Sequence, residues 1–147
     1  MVAKEEQVKV YVAAKFEHKE EARHAQTLLE SAGHTITHDW THESSDGLRG
    51  QARLAYFADH ADRDLRGVLE AEAFLLLHHR EGRGMFVELG AALANPNCII
   101  VVVGQRDPSD RRCPIFYFHP RVHMFVDVEE AVEFIMMADN EGWAHVS

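Results

Sequence analysis

Apolar positions along this chain gather into short β-branched or continuous runs, and between them alanine and leucine recur at helical spacing. Residues 8–14, Val-Lys-Val-Tyr-Val-Ala-Ala, alternate as a strand does. The charged, alanine-spaced segment 17–32 reads as a helix that Gly33 stops. Residues 34–40 read as a second strand, and the polar run 41–50, with Ser44-Ser45-Asp46-Gly47, as a mobile loop bordering the site. The spacing of Ala52, Ala55, Ala58 and Ala61 predicts a helix, with a break or re-start at Asp64 that leads through 65–69 to a third strand at 73–78. A glycine loop around Gly82 and Gly84 then opens a small-residue helix ending near Asn95-Pro96. The unbroken apolar run 98–104 is the kind found where both sheet faces are covered. Residues 115–118 read as a short fifth strand or a packed loop, 122–126 as another extended piece, and 128–137 as a closing helix.

Alternation of this kind predicts a doubly wound α/β sheet, flavodoxin-like or Rossmann-like, mainly parallel, with about five strands in three layers. Ligands of such sheets bind outside the carboxyl ends of the strands at the topological switch point, which in the flavodoxin-like order lies between strands one and three. Phe16 follows strand one and Glu88 follows strand three, so both are expected at that crevice. A helix re-starting at Asp64 would begin at the same edge and bring a second acid to it.

Composition narrows the class. With 147 residues, 46% of them hydrophobic, the chain has enough material for one domain spanning 1–147. A net charge of -9, from 24 acidic against 15 basic side chains, argues against a nucleic-acid polymer or an anionic membrane as partner. Cys98 and Cys113 have no metal-ligand spacing and read as free thiols of a reducing cytoplasm. No run approaches the ~18 to 20 apolar residues that span a bilayer, and residues 1–6 show no signal-peptide core, so a cytoplasmic protein is expected.

Two carboxylates at one crevice are the equipment for displacement at an anomeric carbon through an oxocarbenium-like transition state. Glu88, read here in the first turn of its helix, would feel the positive end of the dipole and stay ionised as nucleophile, while Asp64 serves as the acid. Gly82 and Gly84 would let a sugar or its 5′-substituent rest on backbone N–H groups, with Arg80 or Arg83 adding positive charge. Taken singly, each feature has a plainer reading: Glu88 as a solvated helix-start glutamate, Asp64 as an N-cap, Trp40 as a core residue rather than a stacking platform. The eleven histidines do not form a recognisable ligand set, because His78-His79 end a strand facing opposite ways and Pro120 interrupts His119 and His123. No metal and no cofactor is expected.

Tyr11-Val12-Ala13-Ala14-Lys15-Phe16, then Asp64-Leu65-Arg66-Gly67-Val68 ahead of an apolar strand, then a glycine loop with Glu88-Leu89-Gly90, resembles the nucleoside 2-deoxyribosyltransferase family, which includes the 2′-deoxynucleoside 5′-phosphate N-hydrolases. The likeness runs from about residue 8 to 103. It implies Glu88 as the nucleophile that takes the sugar, Asp64 as the acid near base and sugar, and Tyr11 as the hydroxyl that orients the nucleophile. It also implies a small-molecule nucleoside or nucleotide substrate and a homodimer or higher oligomer whose neighbouring subunit closes the site. Phe16, Asp39, Trp40, Gly82, Arg83, Gly84 and Met85 are expected to bind the substrate. Six residues before the glutamate, where transferases of the family often have aspartate and nucleotide hydrolases serine, this chain has Gly82, which leaves the 5′-group open. A nucleotide-binding regulatory module without chemistry, or a glycosidase for another N-glycoside such as NAD, would use the same crevice. The cluster Phe116-Tyr117-Phe118 with Met124-Phe125 offers apolar surface for a second subunit.

Overall fold

The structure is a computed structural model that describes residues 7–141; the segment 1–6, read above for a signal peptide, lies outside them. Among the described residues the order is β1 (Lys9–Ala13), α1 (Lys19–Ser31), β2 (Thr35–Ile36), α2 (Gly50–Glu70), β3 (Ala73–Leu77), α3 (Gly84–Leu93), β4 (Ile99–Val103), β5 (Val122–Phe125) and α4 (Val128–Glu141). The strands form one sheet in the order β2-β1-β3-β4-β5, and every neighbouring pair is parallel. This is the flavodoxin-like order, with its switch point between β1 and β3. α1 packs with α4, and α2 with α3, as the two outer layers of an α/β/α fold.

The central strands follow from their composition. β3, Ala-Phe-Leu-Leu-Leu, is buried throughout, and β4, Ile-Ile-Val-Val-Val, nearly so, because helices cover both faces. Cys98 lies buried at the start of β4 and is unpaired, as is Cys113. On β1, Val10 and Val12 alternate with Tyr11 and Ala13, and all four are buried. Their register against β3 sets Tyr11 beside Phe74, whose ring it stacks on at 6.1 Å.

Two elements differ from the sequence reading, and a third is decided between its two alternatives. The second strand shrinks to Thr35–Ile36. Beyond it one ladder bond remains, Thr37 N–H to the Val10 carbonyl, and side chains hold the rest: Thr37 Oγ1 donates to the Gly67 carbonyl, Trp40 Nε1 to the Val12 carbonyl, and Thr41 N–H to Asp39 Oδ1. The expected re-start at Asp64 is absent, since α2 runs unbroken for 21 residues. Its exposed middle is reinforced by pairs four apart, Asp59 with Arg63 and Asp62 with Arg66, each 2.9 Å. Of the two readings of 115–118 the packed loop holds, since they form a 3-10 turn that buries Tyr117. No helix among the described residues is long and apolar enough to cross a membrane.

Candidate active site

A cleft of about 1070 Å³ opens at the carboxyl edge of β1 and β3. Tyr11 lines it from β1, followed by Ala14, Lys15 and Phe16; Ala61, Asp64 and Leu65 come from α2, and Arg80 to Met85, Val87 and Glu88 from the glycine loop and α3. Of the residues named from the sequence, Tyr11, Phe16, Trp40, Asp64, Gly82, Arg83, Gly84, Met85 and Glu88 line this cleft. Asp39 does not. Its carboxylate accepts the Thr41 amide at 2.9 Å and the Thr41 hydroxyl at 2.5 Å and pairs with His42, so it shapes a turn. Burial opposes its ionisation, but the Thr41 and Gln26 hydrogen bonds and His42 outweigh this and keep its pKa below the usual value.

The acids are held by adjoining elements. The Tyr11 hydroxyl donates to Glu88 Oε2 in a short contact from β1 to α3. Gly67 on α2 permits this arrangement, because a Cβ there would sit 2.8 Å from His38 Cβ and 3.0 Å from the Tyr11 ring. Asp64 lies one turn earlier on α2, near enough to Glu88 for its charge to raise the Glu88 pKa. Glu88 is the fifth residue of α3, so the expectation of a first-turn glutamate held ionised by the helix start is corrected. Burial dominates instead and lifts its pKa to about 7; the Tyr11 hydrogen bond opposes the rise and Asp64 adds to it. The Asp64 pKa rises to about 6, first through burial and then through the Glu43 carboxylate, against His38 and His60. Burial, followed by Glu88 and Asp64, pushes the Tyr11 hydroxyl far above its ordinary range and keeps it a donor. Two interacting carboxyls titrating around neutrality can hold one proton between them, which suits one base or nucleophile and one acid.

The glycine loop is built differently from the expected cradle. The Gly82 N–H donates to the His79 carbonyl, and a Cβ on Gly82 would lie 2.2 Å from Met85 Cε, so this glycine makes room for Met85 under the loop. Gly84 and Met85 open α3, where helical geometry leaves their amides without intrahelical partners. Arg80 and Arg83 are exposed at the rim, whereas Lys15 is paired with Glu81 at 3.3 Å. Trp40 is 7% exposed and packs as a core side chain with its edge at the cleft, 6.3 Å from the Phe16 ring.

Sequence reasoning missed Gly67 as a spacer and a cluster behind Asp64, formed by His38, Glu43 and His60. His60 and Asp64 are four apart, a spacing that shares one helix face, but an expected break between them hid it.

No protein-family model and no curated protein matches this sequence. Solved structures do match its fold. The CMP N-glycosidase BcmB of Clostridium botulinum superposes with a TM-score of 0.55 at 16% identity, covering 88% of this chain and 98% of that one. A 2-deoxyribosyltransferase from the psychrotolerant bacterium Bacillus psychrosaccharolyticus superposes with a TM-score of 0.56 at 18% identity, covering 94% of this chain and 95% of that one. This chain shares the fold of both.

Proposed function

We propose that the protein cleaves the N-glycosidic bond of a (deoxy)nucleoside or nucleoside 5′-monophosphate, passing the sugar through a covalent ester on Glu88 to another base or to water. The observation that carries this reading is the half-buried Glu88 carboxylate, held by the Tyr11 hydroxyl and facing one cleft with Asp64. The similarity in fold to an N-glycosidase and a deoxyribosyltransferase supports the same class.

In the first step a Glu88 oxygen attacks C1′ as the C1′–N bond breaks, and Asp64, or a water it holds, protonates the departing base. In the second, water or a free base attacks C1′ and releases Glu88, its proton passing to Asp64. Tyr11 keeps the nucleophile oriented and disperses its charge without leaving its own proton. Arg80 and Arg83 at the rim favour a 5′-phosphate, and the amides opening α3 would receive its oxygens.

Incubation with a panel of nucleosides and monophosphates, with and without a second free base, distinguishes base release from base exchange. Protein quenched during turnover is expected to carry a sugar adduct on the peptide containing Glu88, and Glu88→Ala is expected to lose both reactions while remaining folded. Asp64→Asn should bind ligand but turn over about 10²- to 10⁴-fold more slowly. A Glu88→Ala protein that releases base at the wild-type rate would refute the assignment.

A further inference from the structure

Asp64, on the cleft, also meets three side chains that do not line it, so that four side chains from two elements converge. His38 and Glu43 come from the segment after β2, and His60 and Asp64 project from one face of α2. His38 Nε2 lies 2.6 Å from Glu43 Oε1 and 3.3 Å from Asp64 Oδ1, and His60 Nδ1 meets Glu43 Oε2 in a still closer contact. One ligand atom each from His38, Glu43 and His60 lie within 4.8 Å of one another.

Proximity here does not amount to hydrogen bonding. His38 Nε2, His60 Nδ1 and Asp64 Oδ1 are buried, yet none makes a hydrogen bond of acceptable geometry. An imidazole N–H serving a carboxylate should point at its oxygen, and buried polar groups are ordinarily satisfied. These nitrogens crowd the carboxylates without aligning on them. Ligands of one ion behave this way, since each lone pair aims at a shared centre and not at the neighbouring ligand. Four N and O ligands at ~2.0 Å from a tetrahedral ion stand about 3.3 Å apart, a spacing the His38–Asp64 pair has already. Glu43 sits between the imidazoles and would swing away from both to admit the ion.

We propose that His38, Glu43, His60 and Asp64 form a binding site for one divalent transition ion, of which Zn²⁺ suits the two imidazole and two carboxylate ligands best. The ion satisfies the three buried atoms and offsets the charges of Glu43 and Asp64. It also ties the loop after β2 to α2. The strand there is only two residues long, so this loop has little ladder to hold it. His60 is oriented for the site by the Tyr56 ring, 3.9 Å away one helical turn earlier. The site shares Asp64 with the glycosidic reaction proposed above, where with the ion bound the proton would come from a water that Asp64 holds, and it is tested without measuring that reaction.

The full chain, stripped with a chelator and dialysed against Zn²⁺, is expected to retain one ion per chain by elemental analysis, and Zn²⁺ should raise its melting temperature. His60→Ala and the near-isosteric Glu43→Gln should each weaken binding, measured by calorimetry, by at least about 10-fold. His24→Ala, at an exposed histidine on α1, should bind as the wild type does. Circular dichroism establishes that each variant is folded, and Glu43→Gln, which keeps the shape of the side chain, is the arm least exposed to misfolding. Wild-type protein that retains no Zn²⁺, or that retains it equally after His60→Ala and Glu43→Gln, overturns the site and leaves a metal-free histidine–carboxylate cluster in its place.

Discussion

At the scale of single residues, the proposed chemistry turns on how burial competes with hydrogen bonding at Glu88. Burial lifts its pKa to about 7, while the Tyr11 hydroxyl pulls in the other direction. The nucleophile must be ionised and the acid protonated, so kcat/KM is expected to rise with pH as Glu88 ionises, pass through a maximum between about 6 and about 7, and fall as Asp64 gives up its proton. Tyr11→Phe removes the opposing hydrogen bond, which should move the rising limb to higher pH, so the variant loses more activity at about pH 6 than at about pH 8.5. A pH–rate profile of the two proteins checks both statements; an unmoved limb would mean that another group sets it. The same raised pKa has a stability sign. Between the ordinary carboxylate value of about 4.3 and about 7 the folded state holds a proton the unfolded chain has released, so Glu88 favours folding below this window and this contribution is lost as pH rises through it. Replacing it by glutamine should therefore raise the melting temperature relative to wild type at about pH 9, with the advantage shrinking toward about pH 5. Equal melting curves at both pH values would count against a half-buried, proton-holding Glu88.

At the scale of elements, what the sequence made legible was decided by how local each signal is. β3 and β4 announce themselves because every side chain is apolar and the run is bounded, and the glycine loop because Gly82 and Gly84 punctuate it. The short β2 was over-read: a strand-like pattern at 34–40 gave way to turns made by Asp39 and Thr41 and a tryptophan turned inward, which are tertiary outcomes. Phe16 and Glu88 could be assigned to one crevice from element order and Tyr11 by resemblance, whereas Asp64 was expected there through a helix re-start that α2 does not make, and its partners were out of reach because His38 and Glu43 come to α2 from a loop. Gly67 shows the same limit from the other side. A mid-helix glycine usually costs about 1 kcal/mol relative to alanine, so a local reading would expect Gly67→Ala to stabilise. A Cβ there meets His38 Cβ at 2.8 Å and the Tyr11 ring at 3.0 Å, positions fixed by backbone and by a stacked ring. Overpacking of this kind costs about 1 to 3 kcal/mol, which outweighs the propensity gain. Gly67→Ala should accordingly melt lower than wild type and lose activity as Tyr11 is displaced from Glu88, whereas a higher melting temperature would mean that α2 is free to move outward.

At the scale of the whole molecule, α2 presents an outward face that a soluble monomer has little reason to keep. At 100° per residue Leu54, Phe57, Ala58, Ala61, Leu65 and Leu69 fall on one stripe, and Leu54, Phe57, Leu65 and Leu69 are all exposed. Inward the same helix shows Tyr56, His60, Asp64 and Gly67, so its apolar stripe is turned away from its own core. Val87, 71% exposed on α3, extends the surface. This differs from the oligomer surface expected from the sequence, where Tyr117 proves to be buried and Met124 and Phe125 pack partly against the core, leaving Phe116 and Phe118 exposed. We propose that a second copy covers the α2 stripe. Ala61, Leu65 and Val87 also line the cleft, so such a partner would roof the site and exclude water from a reactive sugar ester. Light scattering at micromolar concentration is expected to report at least a dimer. Replacing both Leu54 and Phe57, which lie outside the cleft, by glutamate should yield a monomer whose activity falls sharply. Its melting temperature should change little apart from the loss of the partner's contribution, because neither side chain belongs to the core of its own chain. Wild-type protein that is monomeric and fully active would show that the cleft works unroofed and that the stripe serves some other contact.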